Sequence, residues 1–430
     1  MTRGCRESAN SSTMSDFQEI DLLVARATKA QQQYAVFSQE DVDRIFYAAA
    51  MAANSMRIPL AQEAVEETGM GLVEDKVTKN HFASEIFYHH FKDLQTCGTY
   101  FEDENEIVEV MPVGVVAAIV PTTNPTSTAI FKALCGIKSR CAVIFSPHPR
   151  AKKCTCHAAK VVLDAAVEAG APEHLIQWLE APSVAGSNAL MCHPDVDQVL
   201  ATGGPAMVKA AYSSGKPALG VGPGNVPVIV DDTADLDRCA ASIIMSKTFD
   251  HGVVCASEQA VIAVGDAFEG LKTRLTDSKC YILSESEKQQ VAGVVFKNGN
   301  INPAVVGQSA PKIARMSGIT VAEDVKVLVG VGDRIDAADF FSHEKLSPCL
   351  GLYPACDYQD ALDQAEAMLE IGGKGHSAVL YTSEVNAPDM DQKVARFAAQ
   401  IKTCRLLVNQ PSSHGGIGAL YNFNLMPSMT

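Results

Sequence analysis

One stretch holds the residue types that carbonyl chemistry needs: Phe249-Asp250-His251-Gly252-Val253-Val254-Cys255-Ala256-Ser257-Glu258-Gln259. It sets a cysteine in a bend between a helical pattern and an apolar strand, Gln259 to Val264. Gly252 comes before Cys255 and Ala256-Ser257 follow, so few bulky neighbours shield the sulfur. A thiol at the lip of a sheet is placed to attack a carbonyl carbon once it is a thiolate, which is the nucleophilic form. The competing reading is a small buried hydrophobe, the commoner fate of a cysteine. The chain has 13 cysteines, and only the context of Cys255 lifts it above the rest.

Ile119-Val120-Pro121-Thr122-Thr123-Asn124-Pro125 falls where an apolar strand gives way to a helix. In open parallel sheets ligands bind at that edge. Threonine hydroxyls and a helix start suit a phosphate or a polarised oxygen, and the Asn124 amide could serve an oxyanion. The same residues also make an ordinary helix cap. Thr202-Gly203-Gly204-Pro205 repeats the pattern, either for close approach of a phosphate or as a plain tight turn. Ser146-Pro147-His148-Pro149-Arg150 suits an adenosine ribose or a purely structural loop, and Glu344-Lys345 a ribose or a solvated charge pair. Gly372-Gly373-Lys374-Gly375-His376 sets a histidine after a flexible turn, and a lone histidine is as readily structural. No GxGxxG follows the first strand, so a dinucleotide must bind in another way. Cys154-Thr155-Cys156-His157 and Cys192-His193 fit no zinc spacing, and no metal is expected.

The elements that must position these residues alternate in type. Residues 16–95 read as helices, with a capping-box pattern at Ser38 to Asp41. Extended structure runs from Glu106 to Val120 with a kink at Pro112-Val113-Gly114. Then come a strand at Val113–Val120, a helix at Pro125–Lys138, a strand at Cys141–Ser146 and a helix at Ala151–Ala169. Strands at Leu175–Leu179 and Val199–Thr202 flank a helical piece around Asn188, and Pro205–Ser214 is helical. After Gly220 to Asn225 a strand covers Val226–Val230, a helix starts near Asp235, and a second α/β region runs on to about residue 404. Leu406 to Val408 and a loop over Ser412 to Gly418 end the pattern. Continuous apolar strands between helices mean parallel sheets covered on both faces, a doubly wound α/β architecture.

Bulk properties narrow the classes. The 430 residues suffice for two or three domain-sized units. The net charge of −15 disfavours nucleic acid and anionic membrane surfaces as partners. An odd number of scattered cysteines with no CxxC points to a reducing compartment. Without a long apolar run, no membrane span is expected. The expected place is the cytoplasm, with organelle targeting by residues 1–14 left open.

The order of these motifs resembles the aldehyde dehydrogenase superfamily, and more narrowly the CoA-acylating acetaldehyde dehydrogenases and the N-terminal half of bifunctional aldehyde–alcohol dehydrogenases. The matching stretches are Lys79 to Glu85, Ile119 to Phe131, Phe145 to Lys152, Ala201 to Gly220, Met245 to Ala260, His343 to Pro348, Gly375-His376 and Gly415 to Phe423. The resemblance implies two doubly wound parallel-sheet domains with a small oligomerisation hairpin. It implies a cofactor domain over 16–241 and 405–430 with the hairpin near 105–115, a catalytic domain over 242–404, and a disordered extension over 1–15. It implies Cys255 as nucleophile, Asn124 as oxyanion donor and His376 as an active-site histidine. NAD would be held by Ile119, Val120, Pro121, Thr122, Thr123, Asn124, Ser146, His148, Gly203, Gly204, Gly222 and Glu344.

Hydrolytic relatives keep a glutamate near Gly220-Val221 to activate water, whereas Pro217 to Gly222 here holds no carboxylate. Water attack on a thioester is then slow, and coenzyme A becomes the expected acyl acceptor. The expected reaction joins a short aldehyde, acetaldehyde first, with CoA and NAD through a Cys255 thioester, in a homo-oligomer, dimer or larger. The alternatives are a reductase of another acyl-CoA or of a substituted, for instance sulfonated, aldehyde, and a non-catalytic assembly module. Relatives continue past the position of Thr430 into a glycine-rich segment and, in bifunctional members, an iron-dependent alcohol dehydrogenase half; this sequence is read as a single-function form or a fragment.

Overall fold

The computed structural model describes residues 11–383 and 389–417. Among the described residues the chain forms two bodies, one from the residues up to Thr68 with Lys76–Val221, the other from Gly69–Asp75 with the residues from Gly222 on. Of the expected extension, residues 1–10 lie outside the described residues, as do Gly418 to Phe423 of the family-like stretches; residues 11–15 open the first helix.

In the first body, helices α1 (Ser11–Tyr34), α2 (Gln39–Ser55), α3 (Arg57–Thr68) and α4 (Val73–His81) lead into a π-helical turn, Phe82–Ile86, and α5 (Phe87–Phe91). Ser38 caps α2 by accepting from the Asp41 amide, and Val42, Ile45, Phe46 and Ala49 bury one face, as the helical spacing requires. Strands β1 (Gly98–Glu102) and β2 (Ile107–Val110) form an antiparallel hairpin with Tyr100 and Ile107 exposed. This hairpin begins earlier than the expected 105–115.

The sheet of this body comprises β3 (Val115–Val120), β4 (Ala142–Pro147), β5 (Ile176–Trp178), β6 (Gln198–Thr202) and β7 (Ala218–Val221). The connecting helices are α6 (Pro125–Lys138), α7 (Lys152–Glu168), α8 (Val184–Met191) and α9 (Pro205–Tyr212). All strands are parallel, in the order β5-β4-β3-β6-β7. The chain moves outward from β3 in one direction and from β6 in the other, so the direction reverses between β3 and β6. The register there pairs Ile119 with Ala201, which brings the loops after Val120 and Thr202 to one carboxyl edge, the usual ligand position.

The second body holds β8 (Val226–Val230), α10 (Leu236–Thr248), β9 (Glu258–Val264), α11 (Ala267–Asp277), β10 (Cys280–Ile282) and α12 (Glu285–Val295). A short hairpin, β11 (Phe296–Lys297) and β12 (Asn300–Ile301), precedes α13 (Ala310–Met316), β13 (Val327–Val331) and β14 (Cys349–Ala355). Then come α14 (Tyr358–Ile371), β15 (Gly375–Tyr381), α15 (Met390–Gln400), β16 (Thr403–Val408) and α16 (Ser412–Ile417). The parallel seven-stranded sheet runs β10-β13-β14-β9-β8-β15-β16. One apolar core contains residues of α10 and α11, the other residues of α12 to α15.

The boundary differs from the expected 241/242 and lies at 221/222. β8 sits between β9 and β15, and β16 extends the same sheet beside β15. Strand 403–408 therefore belongs to the second body, not to the first. An apolar run says that a strand is buried but not which sheet it joins.

Candidate active site

In the second body Cys255, Glu344 and His376 gather, together with Gly224, at the amino edge of four neighbouring strands. Gly224 precedes β8, Cys255 precedes β9, Glu344 precedes β14 and His376 is the second residue of β15. Cys255 is a partly exposed residue on the turn after the short 3-10 helix Phe249–Gly252. No disulfide joins any of the twelve cysteines among the described residues.

That turn is held in a conformation few residues adopt. Asp250 and His251 both lie in the left-handed region, at φ 51°. Such backbone costs of order 1–3 kcal/mol per residue and persists only where neighbours over-determine it. Here the strap 69–75 does so: Leu72 N donates to Asp250 Oδ1 at 2.8 Å, and Asp250 N donates to Asp75 Oδ2 at 2.7 Å. Gly252, at φ +72°, lies so close to Ser347 that an added Cβ would meet its carbonyl carbon at 2.8 Å. Gly224 lies closer still, and a Cβ there would fall 1.6 Å from the Cys255 carbonyl oxygen. A cavity of about 480 Å³ opens beside this loop, its lining including Leu72, Asp75, Phe249, His251 and His414.

Fully buried Gln259 ties these loops together. Its Oε1 accepts from Lys247 Nζ at 3.2 Å and from Lys345 N at 3.0 Å, and its Nε2 donates to Ser257 O at 2.9 Å. The turn bearing Cys255 and the loop bearing Glu344 thus share one side-chain amide. Next to it, Glu258 accepts from the Ser412 amide at 2.7 Å. Burial pushes the Glu258 carboxyl up and the Lys247 ammonium down.

Glu344 accepts from Gly224 N at 2.9 Å; desolvation pushes its carboxyl up to about 7, with the Gly224 amide pulling the other way. His376 is buried, its Nδ1 3.1 Å from Ser377 Oγ, and its Nε2 has no hydrogen-bond partner among the described residues. Burial, and then the charge of Arg405, push this imidazole down to about 3, so it is neutral near pH 7.

In the first body Asn124 stands at the N-cap of α6, but its side chain does not cap the helix. Its Oδ1 accepts from Lys79 Nζ at 2.7 Å, and its Nδ2 donates to Thr123 Oγ1 at 3.2 Å. Pro121, Thr122, Thr123 and Asn124 are partly exposed, whereas Ile119 and Val120 are buried. Buried Lys132 donates to Ile119 O, Leu200 O and Thr202 Oγ1, which clamps β3 to β6 below that loop. Ser146 is buried with its hydroxyl 2.7 Å from Ser187 Oγ, so this hydroxyl is already engaged. His148 is exposed, and its Nδ1 accepts from the Arg150 amide. Gly203 and Gly204 lead into α9, whose N-cap Gly204 makes no side-chain cap, and a Cβ at Gly204 would meet nothing within 4 Å. An open helix start of this kind offers free amides to a phosphate. Gly222 lies partly exposed just before β8. Among the described residues no three His, Cys, Asp or Glu side chains group as a metal site.

Sequence reasoning missed Gly224, Gln259 and the strap 69–75. Gly224 carries a signal in its Gly-Pro-Gly-Asn context, but close approach of a backbone 31 positions away leaves none. Gln259 reads as one polar residue in an apolar strand.

Comparison with known proteins shows the family. The aldehyde dehydrogenase family profile matches residues 7–343. The bifunctional aldehyde-alcohol dehydrogenase AdhE of Escherichia coli K12 is 54% identical over 414 residues, covering 96% of this chain and 46% of that protein. The chain thus spans about half the length of the curated relatives it matches first. An acetylating aldehyde dehydrogenase from Geobacillus thermoglucosidasius superposes with a TM-score of 0.92 at 42% identity, covering 98% of this chain and 92% of that one. A propionaldehyde dehydrogenase from Rhodopseudomonas palustris, solved with bound CoA and an acylated cysteine, superposes with a TM-score of 0.82 at 33% identity, covering 93% and 89%. With its two parallel-sheet bodies and a cysteine turn at the amino edge of the second sheet, the chain belongs to the aldehyde dehydrogenase family.

Proposed function

We propose that the chain is a CoA-acylating aldehyde dehydrogenase interconverting a short aldehyde, acetaldehyde first, CoA and NAD with acyl-CoA and NADH. The observation that carries this reading is a partly exposed cysteine, Cys255, on a backbone turn braced by the strap 69–75, Gly224 and Gln259. A rigid nucleophile favours near-attack geometry. The acylated cysteine and the CoA of the Rhodopseudomonas palustris enzyme support the same chemistry.

In this reading the Cys255 thiolate adds to the aldehyde carbon and forms a thiohemiacetal. The Asn124 amide and the Cys255 backbone N–H donate to the oxyanion. NAD, when bound, supplies the acceptor for the hydride that leaves the carbon, and a Cys255 thioester remains. The stretch Pro217 to Gly222 has no carboxylate to activate water, so the thioester waits for the CoA thiolate. That thiolate attacks the carbonyl and Cys255 leaves as thiolate. His376, neutral and with a buried Nε2 that has no hydrogen-bond partner among the described residues, is the proposed active-site histidine that positions the incoming thiol. Ile119 to Asn124, Ser146, His148, Gly203, Gly204, Gly222 and Glu344 are the proposed cofactor contacts. A homo-oligomer in the cytoplasm completes the reading. Among the described residues no helix is long and apolar enough to cross a membrane.

The test is Cys255→Ser assayed for NADH formation from acetaldehyde and CoA. Loss on the order of a hundredfold or more supports the reading, and a near wild-type rate overturns it.

A further inference from the structure

Lys79 sits almost wholly buried in α4, at 2% exposure, with its ammonium 2.7 Å from the amide oxygen of Asn124. We propose that Lys79 is a positioning residue that sets which end of the Asn124 amide is offered for chemistry. The inference rests on the reading of Asn124 as the oxyanion donor.

An asparagine amide has a donor end and an acceptor end of nearly the same shape. If it turns over, a donor to an oxyanion becomes an oxygen facing one. An ammonium cannot accept a hydrogen bond, so Lys79 is compatible with only one of the two orientations. The bond is charge-assisted, roughly twice as strong as a neutral one. With the oxygen held there, the amide nitrogen faces the other way. It donates to Thr123 Oγ1 at 3.2 Å and has a second N–H to give.

The rest of α4 reinforces the arrangement. Lys76 Nζ donates to Thr123 O at 3.2 Å, and Asn80 Oδ1 accepts from Thr126 Oγ1 at 2.8 Å. Positions 76, 79 and 80 share one helix face, and that face grips the loop at 123, 124 and 126 in turn. The π-helical turn Phe82–Ile86 follows directly, with Ser84 Oγ donating to Asn80 O at 2.6 Å. Such turns are often found at functional sites. A helix cap would have used the Asn124 side chain on the α6 amides; the side chain is instead committed to Lys79.

The experiment is a double-mutant cycle on the full chain with Lys79→Met, Asn124→Ala and the pair, read as kcat for NADH formation, KM for NAD and melting temperature. Asn124→Ala is expected to lower kcat about a hundredfold or more, and Lys79→Met about tenfold to a hundredfold. In the Asn124→Ala background Lys79→Met should change kcat by less than about threefold. Lys79→Arg, which keeps a cationic donor, should recover part of the loss, and KM for NAD should stay within about threefold. Full additivity of the two losses, or a wild-type kcat for Lys79→Met, overturns the inference while the role of Asn124 stands. A wild-type kcat for Asn124→Ala overturns the Asn124 reading itself, and the inference with it. If Lys79→Met melts below the assay temperature, Lys79→Gln runs the same cycle.

Discussion

Replacing Gly224 by alanine should disable the enzyme without unfolding it, and the structure gives the size of the insult. Gly224 does not lie at positive φ, so the new residue meets no backbone strain. The obstacle is space. The new Cβ would fall 1.6 Å from the Cys255 carbonyl oxygen, 2.6 Å from its carbonyl carbon and 3.3 Å from its Cα. Cβ atoms essentially never approach closer than 3.0 Å, so at least 1.4 Å must be found. The obstructing atoms are main chain, so no rotamer change relieves the clash. Either the Gly224 loop or the nucleophile's turn must move. The turn is pinned by Gln259 at Ser257 O and by the strap at Asp250, so the shift strains the groups that aim the sulfur. Displacement of a reacting group by 1 Å costs about a hundredfold in rate, while overpacking costs about 1–3 kcal/mol of stability. Gly293→Ala, in α12 with nothing within 4 Å, is the control and should be neutral or stabilise by about 0.5–1 kcal/mol. Steady-state NADH formation, the rate of Cys255 alkylation by iodoacetamide and the melting temperature are compared for the three proteins. A Gly224→Ala enzyme within about threefold of wild-type kcat would refute the reasoning.

Other outcomes follow from the same geometry. Gln259→Leu removes the acceptor for Lys345 N and the donor to Ser257 O, which should cost about 1–3 kcal/mol in chemical unfolding and lower kcat; a variant with wild-type unfolding and turnover would contradict the hub. Burial holds His376 near 3, below its ordinary 6.5, so its neutral form stabilises the fold above pH 6.5 and this contribution is lost as pH falls from there toward 3. His376→Phe should therefore melt with a weaker dependence on acid pH than wild type, and an imidazole titrating near 6.5 by NMR would contradict the burial argument. Glu344, pushed up to about 7 by burial, should ionise near neutrality. KM for NAD is then expected to rise as pH falls below about 7, and Glu344→Gln should flatten that dependence; an unchanged pH profile would exclude Glu344 as the titrating group.

Much of the fold was legible because its cause is local. Pro125–Lys138 and Val226–Val230 fall where the sequence places them, since a proline start and an unbroken apolar run settle helix and strand without tertiary help. β7 escaped notice because Ala218–Val221 is short, glycine-bearing and only partly buried. The membership of β8 and β16 in the second sheet escaped because strand pairing is a long-range event. Site residues divide in the same way. Cys255 stands out through its neighbours in the chain. Gly224 and Gln259 matter through backbone they meet across the sheet edge, and Lys79 through an amide 45 positions on. Ser146 ends an apolar run in the chain, while the bond its hydroxyl makes is to Ser187, 41 positions on.

The central claim is that Cys255 itself carries the acyl group that CoA takes. Peptide mass spectrometry after incubation with acetyl-CoA, in the absence of nicotinamide cofactor, tests it most directly. The account predicts one acetyl group on the peptide containing Cys255, lost when free CoA is added in excess and absent in Cys255→Ser. An acetyl group that forms on another cysteine and exchanges with CoA, while Cys255 stays unmodified, would contradict it.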